Sequence, residues 1–339
     1  MRIIRVGLDT SKHVFQVHGV DEAEQPVLRR QVRRGEMEKV FAKLPATRIG
    51  LEACGAAHHW ARMLRGLGHA VVLMPVQYIK PYVKRGKNDA LDAAAICEAM
   101  SRPGMRFVAI KSAEQQAALM LLGARDLLIK QRTMLINAMR GHAAEFGVIA
   151  TKGPVKVAEL LQRAHAPKAG VPALALELLN LLSNQLDALE ARLKIIEVQL
   201  MARHRSDPVS QCLATQPGIG PIGAISLTLR VPDPKAFRSG RHFAAWLGLV
   251  PKENSSGGRR RLGAISRQGD AALRKLLVLG ATAVISFAKP GKASPWLVNL
   301  LARKPKKLAA VALANKMART LWAMMVSGEV YRRPQMQPA

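Results

Sequence analysis

RIIRVGLDTSKHVFQVHGVDEAEQPVLRRQV, residues 2–32, decides how the start of this chain is read. Apolar and β-branched residues gather in 2–8, 13–19 and 27–32, and the turn-forming GVDEAEQP separates the last two runs. Runs of this length, bounded by Gly, Asp and Pro, predict a meander of three antiparallel strands. Asp9 ends the first of them. Working outward, the pattern predicts a short helix at 35–44, a strand at 47–52 ending on Glu52, a helix at 57–67 and a strand at 70–75. A helix follows at 88–101, carrying Asp89 and Asp92.

The resulting order, βββαβαβα, predicts an α/β sheet, antiparallel at one edge and parallel in the middle. It is the order of the RNase H-like fold. Beyond Lys111 the pattern turns helical. Leu121, Leu128, Leu135 and His142 recur every seven residues, and a breaker-rich stretch follows at 147–153. Leu179, Leu182, Leu186, Leu189, Leu193, Ile196 and Leu200 then step by three and four, a heptad seam within a helix at 172–203. Such a seam buries itself against another helix, either the 112–145 helix of the same chain or a second copy. From about 208 a compact helical unit begins, interrupted by a glycine-rich basic loop at 251–269, with last helices at 270–288 and 307–326. The expected division is therefore 1–110, 111–205, 206–330 and a tail, 331–339.

Composition narrows the function. The chain has 339 residues, 52 Lys plus Arg against 23 Asp plus Glu, and a formal charge of +29. With 49% hydrophobic residues it is globular. An imbalance this large points to nucleic acid as partner. No helix sets basic residues against an apolar face, which argues against a membrane surface, and no apolar run approaches the ~20 residues of a membrane span. The three cysteines have no metal-ligand spacing, which argues for a reducing compartment and against structural zinc. A strand beginning at residue 2 leaves no visible signal peptide, and the expectation is a cytoplasmic protein.

Against that basic background, acids gathered at strand ends stand out. Strands one and four of such a sheet are neighbours, so Asp9 and Glu52 are expected side by side. Asp89 and Asp92, three apart, share a helix face. Carboxylates so close repel unless a cation sits among them, and oxygen ligands suit Mg²⁺. Each acid alone has an ordinary reading, as a strand-end turn residue or a helix N-terminal acid. Together they suggest a metal site acting on a phosphodiester. Lys12, Lys84, Arg85 and Lys87 would surround it and grip phosphates. His58 and His59 read as plain helix positions, and Trp60, Trp246, Trp296 and Trp322 as core anchors.

Two further stretches carry chemistry. QPGIGPIGAISL, 216–227, resembles a helix–hairpin–helix, in which Gly218 and Gly220 would offer backbone N–H groups to a DNA phosphate. PKENSSGGRRRLGAISRQGD, 251–270, sets Ser255 and Ser256 beside Arg259, Arg260 and Arg261, with Arg267 following. It reads either as a loop that contacts a nucleic-acid backbone or as a serine nucleophile with arginines to stabilise developing charge.

GLDTSK at 7–12, GLEACG at 50–55 and KNDALDA at 87–93 resemble the RuvC-like DEDD domain of insertion-sequence transposases. PGIGPIGA, FAAWLGLVPKENSSGG and LGAISRQGD resemble the C-terminal transposase domain of the same "insertion sequence one-ten" family, in the style of its "eleven-eleven" subgroup. The resemblance implies that Asp9, Glu52, Asp89 and Asp92 bind Mg²⁺, or Mn²⁺, and that Ser256 is a nucleophile forming a phosphoserine link to DNA. It also implies recombination of donor and target DNA through strand exchange, a structured guide (bridge) RNA pairing with both DNAs, and dimers assembling into tetramers near the bacterial nucleoid. The rival expectation is a junction nuclease of the same acidic fold, which would use water and not need Ser256. A non-catalytic RNA or DNA scaffold is a third. An actin-like phosphotransferase lacks a second glycine-rich phosphate loop.

Overall fold

The computed structural model describes residues 2–84, 88–151, 153, 156–288 and 293–332. Two compact units, Met1–Ala117 and Ala118–Ala339, divide the chain.

The first unit is built on five strands, β1 (Arg5–Asp9), β2 (Val14–Val20), β3 (Pro26–Arg33), β4 (Arg48–Glu52) and β5 (Ala70–Met74), in the order β3-β2-β1-β4-β5. β1, β2 and β3 pair antiparallel, while β4 pairs parallel with both β1 and β5. The predicted elements are all present, with ends shifted by one to three residues; the helix expected at 35–44 is a short turn followed by α1 (Met37–Phe41). The other helices are α2 (Ala57–Gly66), the single turn α3 (Val76–Ile79) and α4 (Asp89–Ala99).

Alternation along the strands sends Val6, Leu8, Ile49 and Leu51 to one face, where they bury with Phe41, Trp60 and Leu64 of α1 and α2. Gly7 and Gly50 open the other face, and α4 lies against it. A Cβ on Gly7 would stand 2.1 Å from the Ala93 carbonyl oxygen and 2.5 Å from the Cys97 nitrogen. One on Gly50 would meet the Met100 sulfur at 3.0 Å. Ala93, Ala95 and Ala99 keep the helix slim, and the Arg5 side chain donates from Nε to the Cys97 carbonyl at 3.1 Å.

The second unit is helical. α5 (Ala113–Ala144) and α7 (Ala173–Ser206) run antiparallel: Ile136 and Met139 share a core with Leu179 and Leu186, while Ala118 and Leu122 meet Leu200 at the other end. Arg125 pairs with Glu197 at 2.8 Å between them. The α7 seam is therefore covered by its own chain. On α5 the expected line is displaced. His142 is exposed and Leu121, Leu128 and Leu135 are half-buried, whereas Leu122, Ile136, Met139 and Ala143 are buried. A pure seven-residue repeat drifts on a 3.6-residue helix, so the neighbouring stripe faces the partner. The helix α6 (Lys156–Ala164) was not expected after the breaker-rich stretch.

α8 (Pro208–Ala214), α9 (Pro221–Arg230), α10 (Gly240–Trp246), α11 (Ala271–Ser286), α12 (Pro295–Arg303) and α13 (Lys306–Ser327) share one core around Phe243, Leu277, Ala314 and Leu321. Leu200 of α7 also packs with Ile225 and Leu229 of α9, so the expected boundary at 205/206 falls inside this unit. The glycine-rich stretch expected as a loop forms a two-stranded hairpin, β6 (Pro251–Glu253) and β7 (Leu262–Ile265). Trp296 is 39% exposed, with the Lys316 ammonium over its ring, and is not a core anchor.

The Gly7 contact yields a direct expectation. Gly7→Ala should destabilise the first unit by about 1–3 kcal/mol through overpacking and displace α4. Denaturant unfolding checks this, and a variant as stable as the parent would show that α4 has room to retreat.

Candidate active site

Two copies of one local pattern build the acidic site. In Gly7-Leu8-Asp9 and Gly50-Leu51-Glu52, leucine points into the α1/α2 core, and glycine and acid share the opposite face. Leu8 lies beside Leu51 in the parallel pairing, so both acids leave adjacent strand ends. α4 answers with two stripes. Ala93 and Cys97 cross Gly7, and Ile96 and Met100 cross Gly50. One turn earlier on the same stripes stand Asp89 and Asp92. Asn88 caps the helix, its side-chain oxygen accepting from Ala90 N at 3.0 Å. Both aspartates lie in the first turn, where the helix dipole favours negative charge.

Asp9, Asp89 and Asp92 come together so that one carboxylate oxygen from each lies within 4.8 Å of the others. Glu52 stands outside that trio but within electrostatic reach. Burial, then Asp92, pushes its carboxyl above the ordinary range, and Lys80 pulls it partly back. Asp9 is pushed from 3.8 up to about 6, first by burial and then by Asp92, Asp89 and Glu52. A donor set of oxygens alone, carrying this much mutual repulsion, fits a hard divalent cation.

Lys80 escaped the sequence reading. It sits in a short loop helix where only its place between β5 and α4 could have singled it out. Thr10 and Cys54, which follow the two acids, also join the site's rim: Oγ1 and Sγ are 3.4 Å apart and tie the two strand-end loops. Lys12 and Lys84 are exposed, whereas Arg85 and Lys87 lie outside the described residues. His58 is a clamp, its Nδ1 accepting from Lys111 N at 3.2 Å, and burial, then Lys111 and Arg62, lower its pKa to about 4. Neither it nor His59 joins the acidic group.

In the second unit, Gly218 and Gly220 fall in the turn between α8 and α9. Gly218 has φ +85° and packs its backbone on Gly280, where a Cβ would stand 2.6 Å from the carbonyl oxygen. That contact alone requires glycine. Gly220 is open at the start of α9. The two serines part company on the hairpin. Ser255 Oγ donates to Glu253 Oε1 at 2.9 Å and accepts from Arg261 N at 3.1 Å. Ser256 begins the tip turn, where Arg259 N donates to the Ser256 carbonyl at 3.0 Å. Gly257 and Gly258, at φ +55° and +74°, supply the left-handed pair of a type I′ turn. The Ser256 hydroxyl has no hydrogen bond to any described residue.

Arg259, Arg260 and Arg261 are exposed around the turn, and Arg260 pairs with Glu253 at 3.7 Å. At the hairpin's base, Arg267 takes φ +57° and donates its N–H to Gly248, and Gly269 presses on the Trp246 carbonyl. Asp270 then caps α11 and pairs with Arg230 at 3.0 Å.

Comparison with known proteins agrees across the whole chain. The "Transposase IS116/IS110/IS902 family" matches residues 210–294, and the DEDD transposase family of IS110 matches residues 6–147. Identity is 54% with the y4pF/y4sB protein of Sinorhizobium fredii, covering 99% of this chain and 87% of that one. It is 38% with the transposase for insertion sequence element IS1111A of Coxiella burnetii, over 98% and 92%. It is 35% with the transposase for insertion sequence element IS1328 of Yersinia enterocolitica, over 97% and 98%. With its four acids inside one matched stretch and its serine hairpin inside the other, the chain belongs to the IS110 family of DEDD insertion-sequence transposases.

Proposed function

We propose that the chain is a divalent-metal-dependent DNA recombinase that cuts and rejoins strands through a phosphoserine at Ser256. The observation that carries this reading is the trio Asp9, Asp89 and Asp92, three carboxylates held at ligand distance. Glu52 is the fourth acid. Mg²⁺, or Mn²⁺ in its place, would polarise the phosphate when bound. Asp9, which holds a proton up to about pH 6, would give it up to serve as a ligand.

Ser256 Oγ attacks the phosphorus and the bond to one sugar oxygen breaks. That sugar leaves as a free hydroxyl, so the serine proton is accounted for. Ser255 is already engaged on both sides by Glu253 and Arg261, which favours Ser256. The exposed arginines beside it suit the charge of the displacement. The strand order supports an RNase H-like acidic unit. A charge of +29 suits a protein that holds DNA together with a guide RNA pairing to donor and target. Met120, Leu127 and Met134 on α5, with Leu174, Leu181 and Ile195 on α7, leave apolar side chains exposed, which supports assembly into dimers and tetramers. No described helix is long and apolar enough to cross a membrane.

The test is a denaturing gel of purified protein with Mg²⁺, the noncoding RNA that flanks the element and labelled donor and target DNAs. A protein–DNA adduct that needs the RNA should form and disappear in Ser256→Ala. Cleavage without adduct, unchanged by Ser256→Ala, would establish the water-using nuclease instead.

Asp9 gives a second test. Its pKa in the folded chain lies above 3.8, so its stabilising contribution is full below 3.8 and is lost as pH rises through about 6. At pH 7 and without metal, Asp9→Asn should therefore raise the melting temperature. The gain is on the order of 1 kcal/mol after solvent screening, or about 2–4 °C. Added Mn²⁺ should stabilise the parent and not the variant. An equal Mn²⁺ shift in both would remove Asp9 from the metal site.

A further inference from the structure

The face of the sheet that carries Asp9 does not end at the acids. Asp9 lies opposite Gln16 on β2, and Gln16 opposite Gln31 on β3. One row back, Gly7 faces His18 and His18 faces Arg29. At about 4.8 Å per strand, Gln31 is about 10 Å from Asp9 along one row of side chains. α4 packs over β1 and β2 on this face and touches β4, and β3 lies beyond it. Between α4 and β3 it leaves a groove of about 830 Å³, with Gln16, His18, Arg29 and Gln31 along its strand side and Leu91, Ala94 and Glu98 on its helical wall.

The groove is chemically one-sided. Glu24 is paired with Arg5 and Glu98 with Arg102, which accounts for both acids that line it. Arg29 and Lys84 also line it and have no ion pair among the described residues. The Gln16, Gln31 and His18 side chains have no hydrogen-bond partner among those residues either. Burial, then Arg29, lowers the pKa of His18, so it enters neutral and able to donate or accept. Unpaired cations over free amide donors form a receptor for a polyphosphate backbone. The volume admits a few nucleotides of one strand and not a duplex, whose major groove alone is about 12 Å wide.

We propose that this groove is a binding track for a single nucleic-acid strand, DNA or RNA, leading away from the acidic cluster. The assignment rests on the recombinase reading for its substrate class but not on Ser256 or on metal binding.

The experiment uses the full chain and fluorescein-labelled 15-nucleotide single strands of one sequence, as DNA and as RNA. Affinity is followed by anisotropy from 50 to 200 mM salt. Arg29→Ala with Lys84→Ala should weaken binding about 3–10-fold and lower the slope of log affinity against log salt by about 1.4, two phosphate contacts at about 0.7 each. Lys39→Ala with Lys43→Ala removes the same charge elsewhere in the unit and should leave both nearly unchanged. Gln31→Glu sets a negative charge in the groove and should weaken binding with folding intact, which keeps the test open should the double variant prove unstable. Loss with DNA alone, RNA alone or both identifies the strand that runs there. An unchanged slope in the Arg29/Lys84 and Gln31→Glu variants, or an equal fall in the Lys39/Lys43 control, overturns the track. Mn²⁺ stabilisation measured on the same variants reports the acidic site separately, so failure of one reading is not mistaken for failure of the other.

Discussion

The approach of α4 to β1 at Gly7 is the contact on which the acidic site depends. Main chain meets main chain there, without a side chain between them that could bend or change rotamer. The distance between strand and helix is set by hard contact, and the carboxylates two residues along the strand and one turn back along the helix inherit it. Repulsion among the acids would push α4 outward. Burial of Ala93, Ile96 and Cys97, the Arg5 bond to the Cys97 carbonyl and the capped first turn hold it in place. The fold thus spends packing energy to keep like charges together, and a cation relieves what packing only restrains.

The serine is held by the opposite means. Nothing in the hairpin from Pro251 to Ala264 is buried, so its shape comes from local bonds. The paired glycines set the I′ turn, and Ser255 fastens one strand to the other. Below the tip, Gly248 and Gly269 allow two loops to cross at backbone distance, and Asp270 joins the crossing to a helix cap. A hydroxyl on an exposed tip with a rigid base can reach a large substrate while remaining oriented.

Much of the acidic unit was legible because strands whose two faces are filled differently leave period-two signatures, and Gly-Leu-acid occurs twice. The same pattern holds the reason for both glycines, visible only once α4 is placed over them. Helix pairing was less legible. Leu121, Leu128 and Leu135 repeat more regularly than the buried set of Leu122, Ile136 and Met139, yet geometry at 3.6 residues per turn selects the latter. α6 follows a run of breakers, and α12 is only nine residues long. Lys80 reaches the site through folding alone, and the cross-hairpin bonds that set Ser255 apart from Ser256 are visible only in the fold.

Charge acts on two scales in this molecule. Asp9 titrates near 6 in a chain of net charge +29, although a positive field should pull a carboxylate down. The Debye length, about 8 Å at physiological salt, explains the difference. Most of the 52 basic side chains are screened from the cluster, which responds to burial and to its three acidic neighbours. The cationic surface can therefore be strong enough to gather nucleic acid without erasing the local negative charge that calls for a metal. The groove beside β3 lies where the two scales meet. Arg29, its cation on β3, stands two strands and one row away from Asp9, about 12 Å by strand spacing, beyond a Debye length and so too far to neutralise the acids.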